Sequence, residues 1–263
     1  MKRVFITGAS SGIGAALALR YAQHGATVGL LARRGESLQA LIATLPYPEK
    51  HRAYAVDVCD HAAVRAAAMD FIEYTGGADI VIANAGISHG TLTEYAEDLP
   101  VFEAIIATNL NATVATFAPF IAAMKLQKTL HKTPARLVGI GSVAGIRGLP
   151  GAAAYSASKA AVISYCESLR LEMKPHGIAV VTISPGYIDT PMTQRNAYPM
   201  PFLMAPDKFA AAAMLAIERG NSYAVIPWQM GVVAKVLRLL PNAVYDFAFA
   251  RAPHKARLKN KAP

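Results

Sequence analysis

The order in which short β-branched runs and longer helical patterns alternate constrains this chain most. Val4–Thr7 reads as a strand and Ile13–His24 as a helix, and Thr27–Leu31 is followed by a helix at Glu36–Leu45. Ala53–Val56 precedes a helix at Ala62–Tyr74, and Asp79–Ala83 precedes a long helix from about Val101 to Leu126. Arg136–Gly141 leads into a helix at Tyr155–Lys174, and Ile178–Ser184 and Tyr223–Ile226 complete the strands. Alternation at this spacing implies parallel βαβ units with right-handed crossovers. Runs such as "DIVIA" and "AVVTI" are apolar on both sides, so helices must cover both sheet faces. The expected fold class is α/β, a doubly wound parallel sheet of about seven strands flanked by helices. With 54% hydrophobic and 16% charged residues, the chain can bury a sizeable core. No linker, repeat or low-complexity segment divides it, so residues 1–263 read as one domain. Ligands are expected at the carboxyl ends of the strands.

Two stretches imitate membrane signals. "MKRVFITGASSGIGAALAL" has basic residues before an apolar run, but glycines from Gly8 to Gly14 interrupt it, and strand, loop and helix describe it better. Val101–Met124 is long enough for a membrane span. It carries Glu103, Asn109, Asn111 and Pro119, which are costly at membrane depth, so a helix inside a soluble protein is expected.

"TGASSGIG" follows the first strand and opens the first helix. Glycines at 8, 12 and 14 suit a tight turn, close backbone approach to a pyrophosphate and close helix–sheet packing. The helix N-terminus behind them offers free N–H groups and a positive dipole. Such a turn can be purely structural; a strand before it and a helix after it favour a nucleotide. Gly8, Ser10, Ser11, Gly12, Ile13 and Gly14 are therefore candidate cofactor contacts. At the end of the second strand Ala32 stands where an acid would bind the ribose 2′-OH, and Arg33 and Arg34 follow. A guanidinium pairs with a 2′-phosphate that a carboxylate would repel, which favours NADP(H) over NAD(H). The alternative is two solvated arginines.

"AYSASKAA" places Tyr155 and Lys159 one helical turn apart on the same face, among small residues. Tight packing at a helix start explains it, and so does an acid–base device whose ammonium lowers the phenol pKa from about 10. The rest of the sequence decides between them. In order along the chain come "TGASSGIG", Asp57–Val58, "NAG" at Asn84–Gly86, Asn109, Ser142, Tyr155 with Lys159, and "PGYIDT" at Pro185–Thr190. Taken together, up to about Ile226, these resemble the short-chain dehydrogenase/reductases, with their TGxxxGxG loop, YxxxK site and Rossmann-like fold.

The resemblance implies a catalytic group of Asn109, Ser142, Tyr155 and Lys159. Tyr155 would act as general acid in reduction and base in oxidation. Lys159 would lower its pKa and bind the nicotinamide ribose. Ser142 would hold the substrate oxygen, and Asn109 a water that relays protons. It further implies that Asp57 and Val58 meet the adenine, with Asp60 the better cap of the helix beside them. Asn84, Ala85 and Gly86 would line the ribose and pyrophosphate, Pro185 and Gly186 would shape the loop under the ring, and Ile188 and Thr190 would hold the carboxamide and diphosphate. The implied activity is that of an NADPH-dependent carbonyl reductase or alcohol dehydrogenase, homo-oligomeric and without a metal. A non-catalytic NADP(H) sensor on the same fold is the alternative.

Residues 1–185 then read as mainly cofactor-binding and catalytic, and 186–222 as a substrate lid. Met192, Tyr198, Met200, Phe202, Leu203 and Met204 make the lid apolar, and His89 and Leu149 are expected in the same cleft, so a hydrophobic ketone or secondary alcohol is expected. The extension 228–263 departs from the family, with helical patterns at Val232–Leu240 and Ala243–Ala250. It is expected to cover the pocket or a subunit interface. A peripheral membrane anchor, from Trp228, Tyr245 and a basic end, is the other reading. The net charge of +9 is partly local: residues 251–263 carry five of the 26 basic residues, and a loose tail is open. The basic residues are not interleaved with aromatics on one face, which sets nucleic acid aside. Cys59 and Cys166 show no pairing or metal spacing and point to the cytoplasm.

Overall fold

Each strand alternates its side chains between two apolar layers, and this is what carries the helices to both faces. In β1 (Arg3–Thr7), Val4 and Ile6 enter one core and Phe5 the other. The computed structural model describes residues 1–131, 134–196 and 198–258. They form one seven-stranded parallel sheet in the order β3-β2-β1-β4-β5-β6-β7. The other strands are β2 (Thr27–Ala32), β3 (Arg52–Ala55), β4 (Ile80–Ala83), β5 (Ala135–Ile140), β6 (Ile178–Pro185) and β7 (Tyr223–Ile226). Strand order reverses between β1 and β4, so a crevice opens at their carboxyl ends.

On one face, α1 (Gly12–Gln23) packs beside α2 (Gly35–Thr44) and α7 (Pro206–Glu218), with Leu17, Tyr21, Leu38 and Phe209 buried. On the other lie α3 (His61–Thr75), α5 (Ala112–His131) and α6 (Ala153–Met173). There Phe5 meets Phe71 at 5.5 Å and Phe120 at 4.9 Å between ring centroids. Gly29 of β2 leaves the space: a Cβ there would stand 2.6 Å from the Phe71 ring. Because Phe71 is fully buried, Phe71→Ala removes its transfer energy and leaves a cavity. We expect a loss of about 3–5 kcal/mol, read as a lower urea midpoint at unchanged slope.

Most elements fall within one or two residues of their expected positions; the helix expected from Val232 begins at Trp228, the long helix runs on to His131, and two further differences stand out. The long helix is not continuous. It comprises α4 (Leu99–Ile106), a π turn at Ala107–Asn111, and α5. The 32-residue stretch Ala96–Gln127 is long and apolar enough by composition to cross a membrane. Here Ile105, Phe117, Phe120 and Met124 of that stretch are buried in the protein. Second, the segment expected as a lid divides. Residues 206–218 form α7, whose Phe209, Ala210, Ala213 and Ile217 belong to the core, because one side carries an apolar stripe. Only the part before it crosses the crevice. As expected, Asp60 caps α3, its Oδ1 accepting from Ala63 N at 3.0 Å.

Candidate active site

The phosphate-sized end of the crevice is built from backbone. Gly8 and Gly12 have φ of +67° and +57°, which side chains disfavour. A Cβ on Gly8 would lie 2.7 Å from Ala85 Cα, and one on Gly14 would lie 2.6 Å from Asn84 Nδ2. The glycine loop and the Asn84–Gly86 turn therefore touch directly. Asn84 Nδ2 donates to the Thr7 and Gly8 carbonyls at 3.0 and 3.2 Å, so its amide braces the loop. Gly12 faces Thr190, 3.2 Å from where its Cβ would sit. Ser11 stands before α1 without capping it, which leaves the first-turn N–H groups of α1 free of a side-chain partner. Arg34 Nη2 donates to Ser10 and Ser11 Oγ at 3.0 and 3.1 Å. Arg33 is largely exposed and stands 3.9 Å from Asp57 Oδ2. Asp57 Oδ1 accepts from Cys59 N at 3.0 Å, and Val58 is buried beneath. A Cβ-free cradle and free N–H groups suit the diphosphate of a dinucleotide.

The other end is built from β5 and α6. Ser142 follows β5, and its hydroxyl accepts from Ala144 N at 3.1 Å. Tyr155 and Lys159 project from the first turns of α6. Lys159 is buried, and its Nζ donates to the Ile140 carbonyl at 2.8 Å. Burial lowers its pKa to about 8, partly offset by Cys166. The phenol of Tyr155 is raised by burial and lowered by the Ser142 hydroxyl. This differs from the expected depression by Lys159. The ammonium stands 5.9 Å from the centroid of the phenol ring and is turned to a carbonyl.

Asn109 sits on the π turn, fully buried. Its Oδ1 accepts from Ile87 N at 2.8 Å, and its Nδ2 donates to the Ile87 carbonyl and Ser158 Oγ at 3.1 and 2.9 Å. Its carboxamide is thus a brace between the turn after β4 and α6. Gly86 passes close by: a Cβ on it would lie 3.2 Å from Asn109 Oδ1 and 3.5 Å from Lys159 Nζ. One cavity of about 700 Å³ joins the two ends, running from Arg33 past Gly86 and Ile188 to Tyr155. Pro185, Gly186, Thr190 and Met192 line it, as does His89. Of the apolar lid residues, Met192 alone lines this cavity, and Leu149 does not. Phe202 and Leu203 are exposed.

The model of the short chain dehydrogenase family matches residues 2–199. The chain belongs to the short-chain dehydrogenase/reductase family. It is an oxidoreductase of CH–OH and C=O groups, in a family that uses nicotinamide dinucleotides. An "Uncharacterized oxidoreductase" of Myxococcus xanthus is 36% identical over 261 residues, covering 95% of this chain and 97% of its own. A 3beta-hydroxysteroid dehydrogenase of Mediterraneibacter gnavus is 35% identical over 198 residues, 74% of this chain and 69% of that protein. The 3-ketoacyl-(acyl-carrier-protein) reductase of Brucella melitensis, solved with NADH, superposes with a TM-score of 0.78 at 27% identity. That match covers 86% of this chain and 96% of that one.

This short-chain dehydrogenase has a feature that sequence reading missed. After α8 (Trp228–Leu239) and α9 (Asn242–Phe249), the chain returns across the carboxyl ends of β4 and β5. Tyr245 is buried, its hydroxyl donates to the Gly148 carbonyl at 2.6 Å, and the Arg147 guanidinium lies 4.2 Å over its ring. Residues 252–258 form a strap. Gly90 N donates to the Ala256 carbonyl at 2.9 Å, and Lys255 Nζ to Ser88 Oγ at 2.8 Å. Arg257 donates to both carboxylate oxygens of buried Asp98, at 2.8 and 3.1 Å, and to Glu97 at 3.1 Å. The basic tail, which the sequence left open as loose or held, is held over residues 252–258; Lys259 and Lys261 lie outside the described residues. Nothing in one dimension pairs Arg257 with an aspartate 159 residues earlier.

Proposed function

We propose that this protein is an NADPH-dependent carbonyl reductase, working as an alcohol dehydrogenase in reverse, on a ketone or secondary alcohol with an apolar body. One observation carries the reading: a phenol whose pKa burial raises stands beside the Ser142 hydroxyl, at the far end of a cleft from Arg33 and Arg34. A phenol is protonated at neutral pH and can give that proton as a general acid; positive charge on Lys159 would draw its burial-raised pKa back towards the working range. The bound nicotinamide supplies the hydride that reduces the carbonyl. Tyr155 gives its proton to the substrate oxygen, and Ser142 donates a hydrogen bond to the charge developing there. Buried Lys159 adds positive charge at the floor, and its remaining N–H donors suit the ribose hydroxyls of the cofactor. Asn109 holds the turn at Ile87 against α6, which fixes the distance between cofactor and phenol.

Ala32, with Arg33 and Arg34 following, supports the 2′-phosphate and so NADPH. The free thiols of Cys59 and Cys166 support a reducing, cytoplasmic compartment. Exposed Val114, Leu126 and Leu171 on α5 and α6 support assembly into a homo-oligomer through these helices. A panel of apolar ketones with NADPH or NADH, read by loss of cofactor absorbance, tests the activity. Ketone-dependent NADPH oxidation is expected. Saturable NADPH binding with no turnover on any ketone would favour the sensor reading instead.

A further inference from the structure

A cationic group stands beside Tyr155, next to the cavity that His89 and Tyr155 line. Lys255 Nζ lies 5.8 Å from the Tyr155 ring centroid, carried there by the strap. It donates one hydrogen bond, to Ser88 Oγ at 2.8 Å, and an ammonium has three donors. Arg195, from the crossing segment, acts electrostatically on both Lys255 and His89, and Lys255 acts on His89. Burial, then these like charges, push the pKa of both groups down. Among the described residues no carboxylate lies within 4.0 Å of Lys255, Arg195 or His89. Asp98 and Glu97 are engaged by Arg257, and Asp189 by Gln194 Nε2 at 2.9 Å. A half-buried ammonium facing like charge without a counter-ion is costly, and an anion there would relieve it.

We propose that Lys255 binds a carboxylate on the substrate, so that the enzyme acts on an oxo acid whose carboxylate lies a few bonds from the reacting carbonyl. The inference rests on the reading of Tyr155 as proton donor and narrows its substrate class. The phosphates of a dinucleotide are answered elsewhere, by the glycine loop and by Arg33 and Arg34 at the opposite end of the cavity. With its ammonium 5.8 Å from the Tyr155 ring centroid, Lys255 stands near enough to reach a carboxylate on the same small substrate as the reacting carbonyl. Arg257 is the positioning residue: its paired bonds to Asp98 hold the strap two residues beyond Lys255. An apolar body is still accommodated, since Met192 lines the cavity that also holds Tyr155 and His89.

Phenylpyruvate and benzoylpropionate, each against its methyl ester, test this with the NADPH-loaded protein. Two readouts are taken: the acid-to-ester ratio of kcat/KM, and calorimetric binding of the matching phenyl-substituted carboxylates. Lys255→Met should lower the ratio and weaken carboxylate binding by about tenfold or more, the scale of a lost charged hydrogen bond. Lys255→Arg should recover most of both, and NADPH affinity should hold in each variant. Arg257→Ala should give the same acid-selective loss. An unchanged ratio in Lys255→Met, or carboxylates that bind no better than esters, would overturn the assignment and leave carbonyl reduction standing. Carboxylate binding that depends on Lys255 without turnover of any ketone would instead overturn the reductase reading alone.

Discussion

Tyr155→Phe is expected to remove turnover, by about a hundred- to ten-thousandfold, while NADPH binding stays nearly intact. The substitution deletes one hydroxyl and leaves the ring in place on the first turn of α6, so packing there is preserved. What is lost is the proton. Two other phenols, Tyr187 and Tyr198, pack edge to face with each other at 6.4 Å on the crossing segment. Ser142 still donates to the substrate oxygen, and that leaves residual catalysis. Stopped-flow absorbance with one turnover of NADPH separates the chemical step from binding. A chemical step that runs at the wild-type rate in Tyr155→Phe would refute the assignment of the acid.

The second large effect concerns cofactor choice. Ala32→Asp combined with Arg33→Ile is expected to move the NADPH/NADH ratio of kcat/KM by about a hundredfold or more towards NADH. Two charge terms act together. The new carboxylate at the end of β2 repels a 2′-phosphate and accepts from a 2′-OH, and the lost guanidinium no longer pairs with the phosphate. Each charged hydrogen bond contributes about 1.5–3 kcal/mol, so one such bond shifts the ratio about tenfold or more. Arg34 is left in place deliberately. Its bonds to Ser10 and Ser11 hold the phosphate loop that both cofactors share. An unaltered ratio would remove Arg33 from the phosphate site.

Much of the fold is legible in the chain because its signals are local. β-branched runs that are apolar on both sides read as buried parallel strands, and they occupy the central strands of the seven-stranded sheet; the edge strands β3 and β7 are only part-buried. Glycines 8, 12 and 14 have a backbone reason at each position, and the structure supplies it in the contacts with Ala85, Thr190 and Asn84. The π turn at Ala107–Asn111 was not legible. An extra residue in a helical turn leaves the apolar pattern on either side intact, and the benefit lies in Asn109 reaching Ile87 and Ser158. Helix α7 was hidden because its alanines fit a loop cover as well as a core stripe until α1 is set beside it.

The electrostatics of the site were the least legible. Four-residue spacing places Lys159 on the same face as Tyr155. It does not reveal that the ammonium turns to the Ile140 carbonyl and that burial acts more strongly on the phenol. The sequence alone determined the sheet, the glycine loop and the residue types proposed for catalysis, because each rests on neighbours within a few positions. Only the tertiary structure decided that the basic C-terminal segment is a strap, that Arg257 meets Asp98, and that Lys255 faces Tyr155. Those contacts join residues a hundred or more positions apart, and their geometry is set by the carboxyl edge of the folded sheet, which no stretch of the chain contains by itself.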